Sequence, residues 1–194
     1  MSETPAISDV RTGAIGPGRL VLVVGPSGAG KDTLIGLARE ACAGDASIVF
    51  PRRVVTREAS TFEDNEQVSV EDFRRGRNDG EFSMHWEAHG HGYALRRAVD
   101  DDIRAGRTVV TNVSRTVIEV MRRTYADVLV VSITAPPEIL RERLAARARG
   151  SDGQLSDRLG RAVEEAVPDV TITNVGSAAQ HAQELLRAIR GSKV

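Results

Sequence analysis

Nine residues constrain this chain more than any others. Gly25-Pro26-Ser27-Gly28-Ala29-Gly30-Lys31-Asp32-Thr33 comes directly after the aliphatic run Leu20-Val21-Leu22-Val23-Val24 and directly before the helically spaced Leu34, Ile35, Leu37 and Ala38. The aliphatic run has the pattern of a strand buried on both faces of a parallel sheet. The glycines let successive backbone N–H groups turn inward around an anion, and a helix starting near Lys31 adds its positive end at the same point. Strand, loop and helix in this order are the context that a phosphate-binding loop requires. The lysine of such a loop reaches the β- and γ-phosphates of a nucleotide. Asp32 stands where a Ser or Thr commonly offers a hydroxyl to Mg²⁺. A carboxylate there meets the ion directly or through water; the alternative is that Asp32 caps the helix and Thr33 holds the metal.

The rest of the chain repeats the same alternation. Buried-strand runs recur at 108–110, 128–133 and 170–172, and helical spacing fills 31–43, 95–105, 114–124, 137–149 and 177–190. Such alternation predicts an open α/β fold, a parallel sheet with helices on both faces, and the phosphate loop after its first strand makes it one of the P-loop NTPase type. A length of 194 residues with 41% hydrophobic content furnishes one core. Residues 1–18, ending in Gly16-Pro17-Gly18, read as a flexible leader, and 19–194 as a single domain. Two stretches break the rhythm: the polar segment 56–94, read as an inserted subdomain, and 147–157, whose Gly150-Ser151-Asp152-Gly153 suits a lid.

Charge narrows the function classes. Lys+Arg (26) and Asp+Glu (27) nearly cancel, which removes a global case for binding nucleic acid or a membrane surface. Aromatic residues at 4% are too few for base-stacking platforms, and no run has the length of a membrane span or the pattern of a secretion signal, so a cytoplasmic location is expected. A lone Cys42 permits no internal disulfide and reads as a small core residue. Of the 26 cations 24 are Arg, and only Lys31 and Lys193 are Lys. With so few lysines there is no Asn-Lys-x-Asp segment for reading guanine as GTPases do, and no run of acids follows a buried strand as in motor ATPases. A small-molecule kinase remains. Arg39, Arg122 and Arg187 read as surface positions of an arginine-biased composition.

Phe50, Arg53 to Arg57, Val68-Ser69, Phe73, Gly80-Glu81-Phe82 and Gly92-Tyr93 resemble the acceptor-binding region of guanylate kinases. The places where those enzymes read guanine do not match: Met84 replaces the base-reading Glu, Ser60 the second phosphate Arg, and Asn65 falls near a phosphate-contacting Tyr. Gly25 to Asp32, Thr56-Arg57, His85-Trp86-x-Ala88-His89-Gly90, Gly92-Tyr93 and Asn112-Val113-Ser114-Arg115 resemble more closely the ribose 1,5-bisphosphate phosphokinases of phosphonate utilisation, the PhnN family. Tyr93-Ala94-Leu95 departs from the Tyr-Gly-Ile or Tyr-Gly-Val usual there. The resemblance implies a guanylate-kinase-like fold with acceptor subdomain and lid, and transfer of the γ-phosphoryl of ATP to ribose 1,5-bisphosphate with Mg²⁺ as cofactor. Its partner is then a small molecule, and a homodimer is compatible with the sequence. The runner-up activities are a guanylate or related nucleoside monophosphate kinase, and a non-catalytic guanylate-kinase-like binding module.

Arginine suits the gripping of static phosphates, because its planar fork makes two hydrogen bonds at once and never loses charge. On that ground Arg57, with Arg53 as a weaker candidate, is expected to hold an acceptor phosphate, and Arg115, beyond the strand that ends at Asn112, the other. Asn112 either bonds the sugar or a metal-bound water, or simply satisfies a turn. His85 and His89 are expected at the sugar or its phosphates, since no Cys or second ligand group supports a zinc site with His91. Tyr93 either reaches a phosphate or packs. The resemblance points to Arg143 and Arg147 closing on the ATP phosphates, with pairing to Glu138 and Glu142 as the ordinary alternative. It also points to Asn174, after Ile172-Thr173, as an adenine contact.

Overall fold

A computed structural model describes residues 13–57, 64–148 and 167–191. The elements run β1 (Ile15–Val24), α1 (Lys31–Ala41), β2 (Ile48–Val49), β3 (Arg53–Val55), β4 (Asn65–Gln67), α2 (Val70–Asn78), β5 (Phe82–Ala88), β6 (His91–Arg96), α3 (Ala98–Arg104), β7 (Thr108–Asn112), a 3-10 turn (Arg115–Val117), α4 (Ile118–Thr124), β8 (Tyr125–Thr134), α5 (Pro137–Ala148), β9 (Val170–Thr173) and α6 (Ala178–Arg190).

The central sheet has the order β2-β7-β1-β8-β9 and all its pairings are parallel. Alternation along β1 serves two cores. Val21 and Val23 face α1 and α6 with Leu34, Ala38, Leu185 and Ile189, whereas Leu20, Leu22 and Val24 face α3 and α4 with Val99, Ile103, Ile118 and Met121. Each of these aliphatic side chains is essentially inaccessible to water, which is worth roughly 1.5–3 kcal/mol per residue. None of the described helices is long and apolar enough to cross a membrane.

A second sheet, β4-β3-β6-β5, hangs over one of these cores. Its inner face contributes Val55, Trp86, Tyr93 and Leu95 to the α3/α4 side, and its outer face packs Val54 and Ala94 against Phe73 of α2. The subdomain is therefore wider than the expected 56–94. It begins at Arg53 and runs to Arg96, because Arg53 to Val55 pair with β4 and Val54 and Val55 also with β6, and the helix expected from 95 starts only at Ala98. β1 likewise starts at Ile15, inside the segment read as a leader. Ile15 finds Tyr125 of β8 as partner, and an irregularity before Arg19 absorbs the Gly-Pro-Gly. Residues 1–12, and 149–157 of the expected lid, lie outside the described residues.

Candidate active site

In an open parallel sheet, ligands gather beyond the carboxyl ends of the strands. Val24, Asn112, Thr134 and Thr173 end β1, β7, β8 and β9 there, and the loop 25–30 leaves β1 at the same edge. Gly25 has φ +143° and a Cβ on it would sit 1.9 Å from the Ile133 carbonyl oxygen, so only glycine lets the chain turn out of the sheet at this point. Gly30, at φ +88°, is the left-handed N-cap of α1, and its missing Cβ makes room for the Asn174 amide. Lys31 Nζ donates to the carbonyls of Gly25 (2.8 Å) and Pro26 (2.9 Å), which ties the ammonium across the loop. The expected loop residues Gly25, Pro26, Ser27, Gly28, Ala29, Gly30, Lys31, Asp32 and Thr33 are thus assembled as strand, loop and helix.

Asp32 sits in the first turn of α1 and its Oδ1 accepts a 2.8 Å hydrogen bond from Asn112 Nδ2. Neither earlier reading of Asn112 foresaw this partner. Its amide orients a carboxylate on the neighbouring element, and Asp32 is turned toward β7. Thr33 is exposed. Among the described residues no group of three or more His, Cys, Asp or Glu side chains comes together.

Asn174, expected at the adenine, has a structural partner that the sequence did not show: the residue is 4% exposed and Nδ2 donates 2.7 Å to the Ala29 carbonyl, which braces the loop. Arg143 works beside it. Nη2 donates to the Asn174 carbonyl at 3.1 Å, and Nη1 points at the carbonyls of Gly28 (3.3 Å) and Ala29 (3.5 Å). The residue following Asn174 is held in turn: His181 Nε2 lies 2.9 Å from the Val175 carbonyl and Nδ1 lies 3.0 Å from Glu184. The Val175 carbonyl first, and the Glu184 carboxylate after it, raise the His181 pKa. Arg147 belongs to the last turn of α5, and its side chain lies outside the described residues.

On the acceptor side Thr56 is locked into the β5–β6 hairpin. Its N–H donates to the Gly92 carbonyl (3.0 Å) and its Oγ1 accepts from the Gly92 N–H (2.8 Å), which fixes where Arg57 leaves the strand. Tyr93 is buried and stacks on Trp86 with centroids 5.7 Å apart, and the Arg53 guanidinium stands 5.7 Å from the Tyr93 ring. The Tyr93 ring thus packs within the second sheet. His85 is exposed on β5, and His89, at φ +53°, forms the two-residue hairpin turn with Gly90. Arg115 opens the 3-10 turn beyond β7.

A cavity of about 150 Å³ joins the two halves, lined by Asp32, Ile35, Arg39, Arg53, Asp64 and Asn112 among others. Arg39 was expected at the surface. It faces this cavity because it shares a stripe of α1 with Asp32, Ile35 and Gly36, a spacing that the sequence did contain.

No family model matches the chain. Among curated proteins, the ribose 1,5-bisphosphate phosphokinase PhnN of Bradyrhizobium diazoefficiens is 61% identical over 192 residues, covering 98% of this chain and 97% of its own. The protein of the same name from Methylobacterium radiotolerans is 53% identical over 175 residues, covering 90% and 98%. Among solved structures, the guanylate kinase of Anaplasma phagocytophilum aligns with a TM-score of 0.63 at 23% identity over 92% of this chain and 86% of that one. The Mycobacterium tuberculosis APS kinase CysC aligns at 0.51 and 17% identity over 90% and 99%. The two structural likenesses establish the P-loop kinase fold. Identity of this degree from end to end of both chains goes further, and the chain belongs to the ribose 1,5-bisphosphate phosphokinase PhnN family.

Proposed function

We propose that the protein transfers the γ-phosphoryl of ATP to the 1-phosphate of ribose 1,5-bisphosphate, giving 5-phospho-α-D-ribose 1-diphosphate and ADP. The observation that carries this reading is the pairing of an intact phosphate loop with an acceptor side that has lost its means of reading guanine. Met84, where a guanine edge would need an acceptor, packs onto the apolar core.

The acceptor oxygen belongs to an ionised phosphate, so the reaction needs no general base. That oxygen bonds to the γ-phosphorus as the bond to the β-phosphate oxygen breaks and ADP leaves. The protein's task is to bring two anions into line and neutralise them. The backbone N–H groups of 25–30 and the start of α1 cradle the ATP phosphates, Lys31 moves from the loop carbonyls to the γ-phosphoryl, and Arg143 with Arg147 adds charge on the donor side. Arg57, with Arg53 near it, and Arg115 grip the acceptor, while His85 and His89 contribute at its rim. Asp32, oriented by Asn112, is the residue to hold Mg²⁺, whose contribution when bound is to draw charge from the β- and γ-oxygens.

ADP release is to be measured with ATP·Mg²⁺ and, in turn, ribose 1,5-bisphosphate, ribose 5-phosphate and GMP. Turnover is expected with the first; turnover with GMP alone overturns the reading. Lys31→Met is expected to lose at least about a hundredfold in kcat while keeping its Tm.

A further inference from the structure

The acceptor of the proposed reaction carries two phosphates, and transfer concerns one of them. Arg39 has no part in the donor machinery described above, yet it stands on the cavity wall two turns beyond Asp32 on the same stripe of α1. That is a rise of about 10 Å at ~1.5 Å per residue. Its Nη1 donates 3.0 Å to Asp64 Oδ2, and its guanidinium stands 5.9 Å from the Phe50 ring. Its Nε is buried and has no hydrogen-bond partner among the described residues. Asp64 also lines the cavity and is held from its other side by Arg52 Nε at 2.8 Å.

Two guanidinium groups thus converge on one carboxylate at the end of the cavity away from the loop. That is the arrangement in which arginine binds oxyanions, and a phosphate dianion offers more charge and one more oxygen than a carboxylate does. The three side chains are 40%, 57% and 52% exposed for Arg39, Arg52 and Asp64, so the ion pairs contribute little and yield to a stronger anion.

We propose that Arg39 holds the 5-phosphate of the acceptor, the one that does not receive the γ-phosphoryl group, and that Asp64 occupies that phosphate's place until the acceptor arrives. The proposal rests on ribose 1,5-bisphosphate being the acceptor. A nucleoside monophosphate has no second phosphate and would leave this pair unused.

The test uses the full-length wild type, Arg39→Gln and Asp64→Asn, with ribose 1,5-bisphosphate varied at saturating ATP. Ribose 5-phosphate and ribose 1-phosphate are then added separately as competitive inhibitors. For Arg39→Gln the acceptor KM rises at least about tenfold with kcat within about twofold, the Ki of ribose 5-phosphate rises in parallel, and the Ki of ribose 1-phosphate stays unchanged. A purely structural role for Arg39 would weaken both monophosphates alike, and that result overturns the assignment. Asp64→Asn removes a competitor and lowers the acceptor KM; a KM that rises or stays level overturns the placeholder. Wild-type enzyme that ignores ribose 1,5-bisphosphate sinks the functional reading and this inference together, whereas an active wild type with an unaltered Arg39→Gln sinks the inference alone.

Discussion

Lys31 and Asn174 serve the same loop, and only one of them announces itself in the sequence. Lys31 is the single internal lysine in a chain that otherwise uses arginine, and it falls at a fixed place in a glycine-rich motif. Asn174 is an asparagine at a strand end, which reads the same whether it faces a ligand or a backbone carbonyl 145 positions earlier. Position along the chain carries no trace of that closure. Asn174→Ala leaves the Ala29 carbonyl with only the longer contact from Arg143, at an expected cost of about 1–3 kcal/mol. Tm should fall by about 2–4 °C for each kcal/mol, and the ATP Kd should rise as the loop loosens. Asn174→Asp is expected to be worse than the alanine, since it sets a carboxylate oxygen against a carbonyl oxygen. Equal Tm values for the two variants would count against the brace. Arg39 shows the same limit: a helical arginine looks like solvent-facing charge until the element opposite it is known.

At the level of elements, the central strands were legible because burial on both faces forces continuous aliphatic runs. The second sheet was not. Its β4 is Asn65-Glu66-Gln67, a polar triplet that becomes a strand only through pairing with β3, and β5 alternates apolar and polar residues within a stretch that reads as an irregular insertion. The subdomain is instead marked by close approach. A Cβ on Gly92 would lie 2.9 Å from the Phe73 ring, so Gly92→Ala should push α2 off the sheet and destabilise by about 1–3 kcal/mol. Because Gly92 also anchors Thr56, the acceptor KM should rise with the ATP KM unchanged. Phe73→Leu in the same chain should restore part of both, as a thermal-melt cycle would read. The Arg96 side chain bonds Glu66 and holds its carboxyl below the usual 4.5. A folded-state value below the unfolded one stabilises above pH 4.5 and loses that stabilisation as pH falls through the folded value. Stability should therefore decline in acid with a slope that Glu66→Gln flattens.

For the molecule as a whole, a nearly neutral sum conceals a strongly local distribution. The loop, Arg143 and the start of α1 form one cationic end, and Arg39 and Arg53 line the cavity, with Arg52 behind Asp64 and the carboxylates of Asp64 and Asp32 set among them. The two sheets share one apolar layer, so the second sheet is built onto the central one by packing as well as by sequence. The Trp86–Tyr93 stack belongs to that shared layer, and Trp86 is the chain's single tryptophan. All indole fluorescence of the unlabelled enzyme therefore originates on the acceptor hairpin, beside the ring that Arg53 overhangs. That emission is expected to change when ribose 1,5-bisphosphate is added and to change little with ATP alone, a readout that needs no label.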